Sequence, residues 1–333
     1  MDPFKLEGVS VAPGTTGMAN LQVGRLSSGH DLAIPVHVVH GSRPGKTLMV
    51  VAAIHGEEIY ATKVIKDLLA ATDPKSLSGT LLLVPVGNPL SLEQETRNTP
   101  FDMLNMNRVF PGKKDGWISE RLAAALADLV PRCTAVIHID GGSVERLIHY
   151  IYIKESQDEW AKQTYELSRL FGLKVAYRGP FFEGSLTAYA AQLGVPCIVP
   201  EIGGSLLMQN GEYMQEALRG VRNIMVHYGM VAGEIVLPDS QVVMTRRTLI
   251  RIPTGGIFVP NVGLAELNVP LAKDTVLGTI FDPYTLEETG RILAPWDDAI
   301  IFQMRALMSA VQPGDYAYII GDGQSAVPLK QLA

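Results

Sequence analysis

One stretch constrains the fold of this chain more than any other. Residues 48–54 form an unbroken, Val-rich apolar run that stops at His55-Gly56-Glu57-Glu58, and an amphipathic stretch follows. A short apolar run of this kind reads as a strand buried on both faces, as in a parallel sheet. In open α/β sheets the ligand crevice lies beyond the carboxyl ends of such strands, where His55 and Glu58 fall. If a helix begins after Gly56, residues three apart share a face and their side chains converge. The alternative is that His55 is a satisfied strand-end histidine and that Glu57 and Glu58 favour a helix N-terminus through its dipole. An imidazole and a carboxylate so spaced are two of the three ligands of a His₂Glu catalytic zinc site.

The rest of the chain supplies the frame. With 333 residues, about two domains are expected. The chain is 47% hydrophobic and 19% charged, which is globular rather than disordered. The net charge is −6 with no Lys/Arg cluster, which argues against nucleic acid or an anionic membrane as partner. No apolar stretch is long enough to span a bilayer. The N-terminal residues lack the apolar core of a signal peptide, so a cytoplasmic protein is expected. Cys133 and Cys197 sit in apolar contexts and read as reduced core thiols.

Residues 34–40 alternate and end in the turn cluster 41–45, which predicts a hairpin with residues 47–54. A helix is expected over 57–71 and a second buried strand over 80–86. Residues 87–116 carry no periodicity, and loops this long are usually functional. Helix 117–129, strand 135–140, strand 147–153, helix 157–171, strand 173–177, helix 185–193, strand 197–201 and helix 211–228 follow. The alternation argues an α/β domain with a mixed, largely parallel sheet over residues 1–235. After Gly233 only short strands with turn signals recur, predicting a small all-β domain over 236–333.

Four segments at strand ends or in loops carry the polar residues: His55-Gly56-Glu57-Glu58; Arg97 with Asn105-Met106-Asn107-Arg108-Val109-Phe110-Pro111-Gly112; His138-Ile139-Asp140-Gly141-Gly142; and Glu201-Ile202-Gly203-Gly204. Each has a plain structural reading. Arg108 could pair with Asp102, Arg97 could be solvated, and Glu201 could cap a helix or pair with an arginine. In this order, however, the segments resemble the succinylglutamate desuccinylase/aspartoacylase family over roughly residues 30–320.

The resemblance implies a carboxypeptidase-like α/β fold, a mixed sheet flanked by helices, with an appended barrel-like (lipoyl-like) β domain. It implies a zinc-dependent hydrolase cleaving the amide bond of a small N-acyl amino acid or amine. Carried over by position, His55 and Glu58 match metal ligands. Arg97, Asn107 and Arg108 match groups that hold the substrate's carbonyl and carboxylate, with Arg97 at the reacting centre. Glu201 matches the proton shuttle. The chain departs from the family at the third segment, where Asp140 fills the ligand histidine's place and His138 stands two residues earlier. Asp140 is the expected third ligand, with His138 the alternative. A His/Glu/Asp set is harder than His₂Glu and should accept manganese or another oxygen-preferring metal beside Zn²⁺. Within the family, the appended barrel and overall layout most resemble the diamino-acid deacetylases of ectoine catabolism. A carboxylate-binding pseudoenzyme and a peptide-cleaving metallocarboxypeptidase are the competing readings. The acyl group, the amino acid and whether the chain forms a homo-oligomer are left open.

Overall fold

The computed structural model describes residues 1–156, 158–180, 182–204 and 211–331. Five strands open the chain: β1 (Phe4–Leu6), β2 (Val9–Val11), β3 (Thr15–Arg25), β4 (Asp31–His40) and β5 (Arg43–Val51). Helix α1 (Tyr60–Ala71), strand β6 (Ser78–Val84) and the short helix α2 (Pro89–Glu93) follow. Helix α3 (Ile118–Ala127) leads to β7 (Ala135–His138) and β8 (Arg146–Lys154). Next come α4 (Glu159–Phe171), β9 (Val175–Gly179), α5 (Leu186–Gln192), β10 (Cys197–Gly203) and α6 (Gly211–His227). The expected start of α4 at Gln157 lies outside the described residues.

The rest is strand: β11 (Val242–Met244), β12 (Arg247–Arg251), β13 (Gly256–Pro260), β14 (Pro270–Leu271) and β15 (Val276–Phe281). Then come β16 (Glu288–Leu293), β17 (Ala299–Arg305), β18 (Ser309–Val311), β19 (Tyr316–Asp322) and β20 (Val327–Pro328).

A mixed sheet runs in the order β12-β19-β17-β8-β10-β7-β5-β6-β4-β3. Along this path the centre, β10-β7-β5-β6, is parallel, and off it β9 pairs parallel with both β8 and β11. The flanks are antiparallel, so the sheet is less parallel than the sequence suggests. The centre is buried on both faces. Met49, Val51, Leu82 and Val136 face one apolar core with α3 and α5, and Leu48, Val50, Leu81 and Ile137 face another with α1, α4 and α6.

The expected hairpin does not form. β4 pairs antiparallel with β6, and β5 pairs parallel with β6 on its other side, so β6 lies between the two. The chain crosses from β4 to β5 over the start of β6, backbone against backbone. A Cβ on Gly79, where φ is +85°, would lie 2.0 Å from the Lys46 carbonyl oxygen. The glycines of this region serve the crossing rather than a hairpin turn.

Strand β8 forks the sheet. Its first residues pair with β17 (Arg146 with Arg305, Ile148 with Gln303), and its last pair with β9 (Ile151 with Ala176, Lys154 with Gly179). Through β17, β19 and β12, the C-terminal region continues the sheet of the N-terminal one. A second, four-stranded antiparallel sheet, β16-β15-β13-β18, packs on these strands through Phe258, Leu277, Ile280, Ile301 and Tyr318. Cys133 and Cys197 are free and buried, and burial pushes both thiols up to about 12. Among the described residues no helix is long and apolar enough to cross a membrane.

Candidate active site

At the carboxyl end of β5 the backbone turns through Ala53, whose φ of +47° is unusual for a residue with a side chain. The chain then makes a tight turn in which the Glu58 N–H donates to the His55 carbonyl (3.2 Å). Helix α1 starts only at Tyr60, so His55 and Glu58 converge across this turn rather than along the expected helix face. Gly56 has no substitute here, since a Cβ would lie 2.0 Å from the Ser91 carbonyl carbon and oxygen.

His55, Glu58 and Asp140 meet in the interior. Their ligand atoms all lie within 4.8 Å of one another, and all three residues are buried. His55 Nδ1 is 3.0 Å from both Glu58 Oε1 and Asp140 Oδ1. Its other nitrogen, Nε2, lies 3.1 Å from Asn105 Oδ1. That oxygen also accepts from the Asn107 backbone N–H (2.8 Å), which fixes the orientation of the Asn105 amide. Nε2 therefore carries a hydrogen and donates it. In a neutral imidazole this leaves the Nδ1 lone pair aimed at two carboxylates, an arrangement that needs a cation between them.

A proton on Nδ1 is one solution. Burial lowers the His55 pKa, but Glu58 and Asp140 outweigh it and raise it to about 10. Burial, with Asp140 adding to it, pushes Glu58 up to about 8. Burial acts upward on Asp140 too, but His55 holds it well below the usual carboxylate range. A divalent metal is the other solution. One nitrogen and two carboxylates converge within about twice the ~2.0–2.2 Å reach of zinc to such ligands, and the outer hydrogen bond from Nε2 is the partner a ligating histidine needs. The donor set fits a metal.

His138 lies outside this cluster. It sits in β7 opposite Val51, fully buried, with neither ring nitrogen hydrogen-bonded among the described residues. Burial lowers its pKa. Side chains two apart share a face but stand about 6.6 Å apart along a strand, so His138 is one pleat deeper than Asp140. Asp140 reaches the site because the chain moves on to β10, with its N–H on the Pro200 carbonyl and its carbonyl accepting from Ile202. This pairs Asp140 with Glu201 across a single bridge. The Glu201 carboxyl makes no hydrogen bond to a described side chain, and burial, with Asp140 and Glu58 adding to it, raises its pKa well above the ordinary value.

Arginines surround the acids. Arg97 donates to Glu58 Oε1 (3.1 Å) and lies 3.6 Å from Glu57. Arg146 also bonds Glu57. Arg108 is not paired with Asp102, whose carboxylate instead accepts from Ser119 at the start of α3. Its guanidinium lies over the Phe182 ring, 4.4 Å from the centroid. Asn107 is buried, and its Oδ1 accepts from the Leu186 N–H at the start of α5 (3.0 Å). The structure thus brings His55, Glu58, Asp140, Arg97, Asn107, Arg108 and Glu201 together and leaves His138 apart.

All but His55 of that group line one cavity of about 860 Å³. Sequence reasoning missed Asn105, Glu57 and Arg146, although the first two lie inside motifs already singled out. It also missed a whole wall from the C-terminal strands, including Arg247, Gln303, Arg305 and Tyr316. Those residues carry no motif, and only the sheet order brings them to the site.

Comparison with known proteins gives a consistent picture. Residues 44–228 match the sequence profile of the succinylglutamate desuccinylase/aspartoacylase catalytic domain. The chain is 27% identical over 266 residues to the N-alpha-acetyl-L-2,4-diaminobutyric acid deacetylase of Halomonas elongata, covering 75% of this chain and 74% of that one. Its fold is similar to the product-bound ectoine utilization protein EutE (DoeB) from Ruegeria pomeroyi, with TM-score 0.81 and 21% identity over 92% and 94% of the two chains. It is also similar to an aspartoacylase family protein from Mesorhizobium loti, with TM-score 0.78 and 24% identity over 95% and 96%.

Proposed function

The chain belongs to the succinylglutamate desuccinylase/aspartoacylase family, and on that premise we propose that it is a metal-dependent deacylase of a small N-acyl amino acid or N-acyl amine. The observation that carries this reading is the convergence of His55, Glu58 and Asp140 beside Glu201 in a cavity lined by arginines. His55 Nδ1 and the two carboxylates would hold the ion, Zn²⁺ or, given two oxygen donors, Mn²⁺. A divalent ion held there would supply the Lewis acidity that activates water and polarises a scissile carbonyl.

The remaining work falls to the chain's own groups. The Glu201 carboxylate takes a proton from the attacking water and returns it to the leaving amine nitrogen as the C–N bond breaks. Arg97, held by Glu58, presents its remaining N–H groups to the substrate carbonyl oxygen. The Arg108 guanidinium, with Asn107 beside it, offers a planar fork to a carboxylate. The cavity size suits a small substrate.

The test is hydrolysis of N-acetyl, N-succinyl and N-formyl amino acids by purified protein with and without added zinc, manganese or cobalt. Nα-acetyl-2,4-diaminobutyrate comes first, because the Halomonas elongata relative is named for it. Turnover that follows bound metal is expected. A metal-loaded protein that hydrolyses none of these, or only C-terminal peptide bonds, overturns the reading.

A further inference from the structure

The cavity contains more arginine than the reaction uses. Arg97 pairs with Glu58, Arg146 with Glu57, and Arg305 with Glu145 at 2.7 Å. Arg108 and Arg247 line the same cavity, and neither has a carboxylate partner among the described residues. Arg108 already has a role in the reading above. Arg247 comes from β12, in the C-terminal region.

Its surroundings are specific. Arg247 lies over the Tyr177 ring, 4.2 Å from its centroid, and 5.6 Å from that of Tyr152. One guanidinium nitrogen donates to the Tyr150 hydroxyl (3.2 Å). A guanidinium has five N–H donors, and this is the one hydrogen bond the Arg247 side chain makes among the described residues. Stacking on the tyrosines fixes its plane and displaces water from its faces, which strengthens its attraction for an anion. Tyr150 stands directly opposite Glu201 in the β8–β10 register. Paired residues of neighbouring strands project to the same side, about 5 Å apart. Arg247 therefore stands one tyrosine away from the proposed proton shuttle, across the fork in β8.

We infer that Arg247 is a carboxylate-binding, specificity-determining residue, supplied by the C-terminal strands and oriented by Tyr150, Tyr152 and Tyr177, that shares with Arg108 the carboxylate of the N-acyl amino acid. This rests on the deacylase reading for the identity of the ligand, and not for the binding of a carboxylate. A clamp between β12 and the tyrosines would account for the stacking, but not for a half-buried fork with most of its donors unused and facing a cavity.

The test compares wild-type, Arg247→Gln and Arg247→Lys as metal-loaded full-length proteins, with circular dichroism and Tm as folding controls. Each is given an N-acetyl amino acid and its carboxamide, which differ only in the charge of one group. Loss of Arg247 should raise KM for the carboxylate about ten- to a hundredfold, the scale of a charged hydrogen bond. KM for the carboxamide should stay within about twofold and kcat within a few fold. Calorimetric binding of both ligands is read alongside. If no substrate is turned over but the carboxylate still binds through Arg247, the deacylase reading falls and the subsite stands. If Arg247→Gln does not fold, Arg247→Lys carries the comparison, with a several-fold loss confined to the carboxylate expected because the planar fork is gone. Equal losses on both ligands, no loss on either, or wild-type protein that does not distinguish them would each overturn the inference.

Discussion

At the scale of single residues, the Nδ1 atom of His55 organises the site. Asn105 commits the other nitrogen to a hydrogen bond, so two carboxylates face a lone pair that must be filled. Asp140→Ala should therefore lose bound metal, measured by elemental analysis after purification, whereas His138→Ala should keep it; the opposite pattern would move the third ligand to His138. Glu201 touches none of the three through a hydrogen bond, so Glu201→Gln should bind metal normally while kcat drops by about 10²–10⁴, the range of general acid–base catalysis. Near-normal turnover in that variant would remove Glu201 from the mechanism. The places of His55, Asp140 and Glu201 at the ends of strands were legible in the sequence because each sits where an apolar run ends. The sequence favoured Asp140 with His138 as the alternative and could not decide between them, because period two puts both on one face and only depth along the strand separates them.

At the scale of elements, the long loop before α3 does two jobs. Asn107 Oδ1 accepts from the Leu186 N–H, and Ser185 Oγ accepts from the Ala188 N–H, so the start of α5 is held from inside and outside the helix. Asn107→Ala should lower Tm as well as catalysis, because it leaves a buried N–H unpaired at a cost of about 1–3 kcal/mol. A variant with impaired catalysis and unchanged Tm would make Asn107 a substrate group only. Helices and buried strands were legible because their periodicity is local. The order β5-β6-β4 was not, since a run of turn residues looks alike before a hairpin and before a crossing. What distinguishes them is the meeting of Gly79 with Lys46, residues far apart in sequence and packed backbone to backbone.

At the scale of the whole molecule, the N-terminal and C-terminal regions are joined by hydrogen bonds as well as by packing. Asn268, in the C-terminal region, donates to His149 Nδ1 (2.7 Å), which leaves Nε2–H of that histidine to donate to Glu216 on α6 (3.0 Å). Burial acts to raise the Glu216 pKa, but the bond from His149 and the neighbouring Arg219 outweigh it, and the folded value is depressed. A depressed carboxyl contributes stability above its unfolded pKa of about 4.3 and loses it as pH falls through the folded value. The Tm difference between wild-type and Glu216→Gln should thus be constant near neutrality and narrow below about pH 4; a difference that does not change with pH would show that the pair does not stabilise the fold. None of this was legible in the sequence, which shows where the strands after Gly233 lie but not which sheet they join.

The fork in β8 has a further consequence. One arm carries β17 and the other β9, and the cavity opens over the place where they part, between Glu201 on β10 and Arg247 on β12. A ligand gripped at both ends acts as a stitch across that seam. Such a ligand favours the closed seam over any state in which the C-terminal strands have peeled away, by an amount that grows with its concentration over Kd. Substrate supply would then set how long the two halves stay sewn together, and amide exchange at the β17–β8 pairs would slow as the site fills.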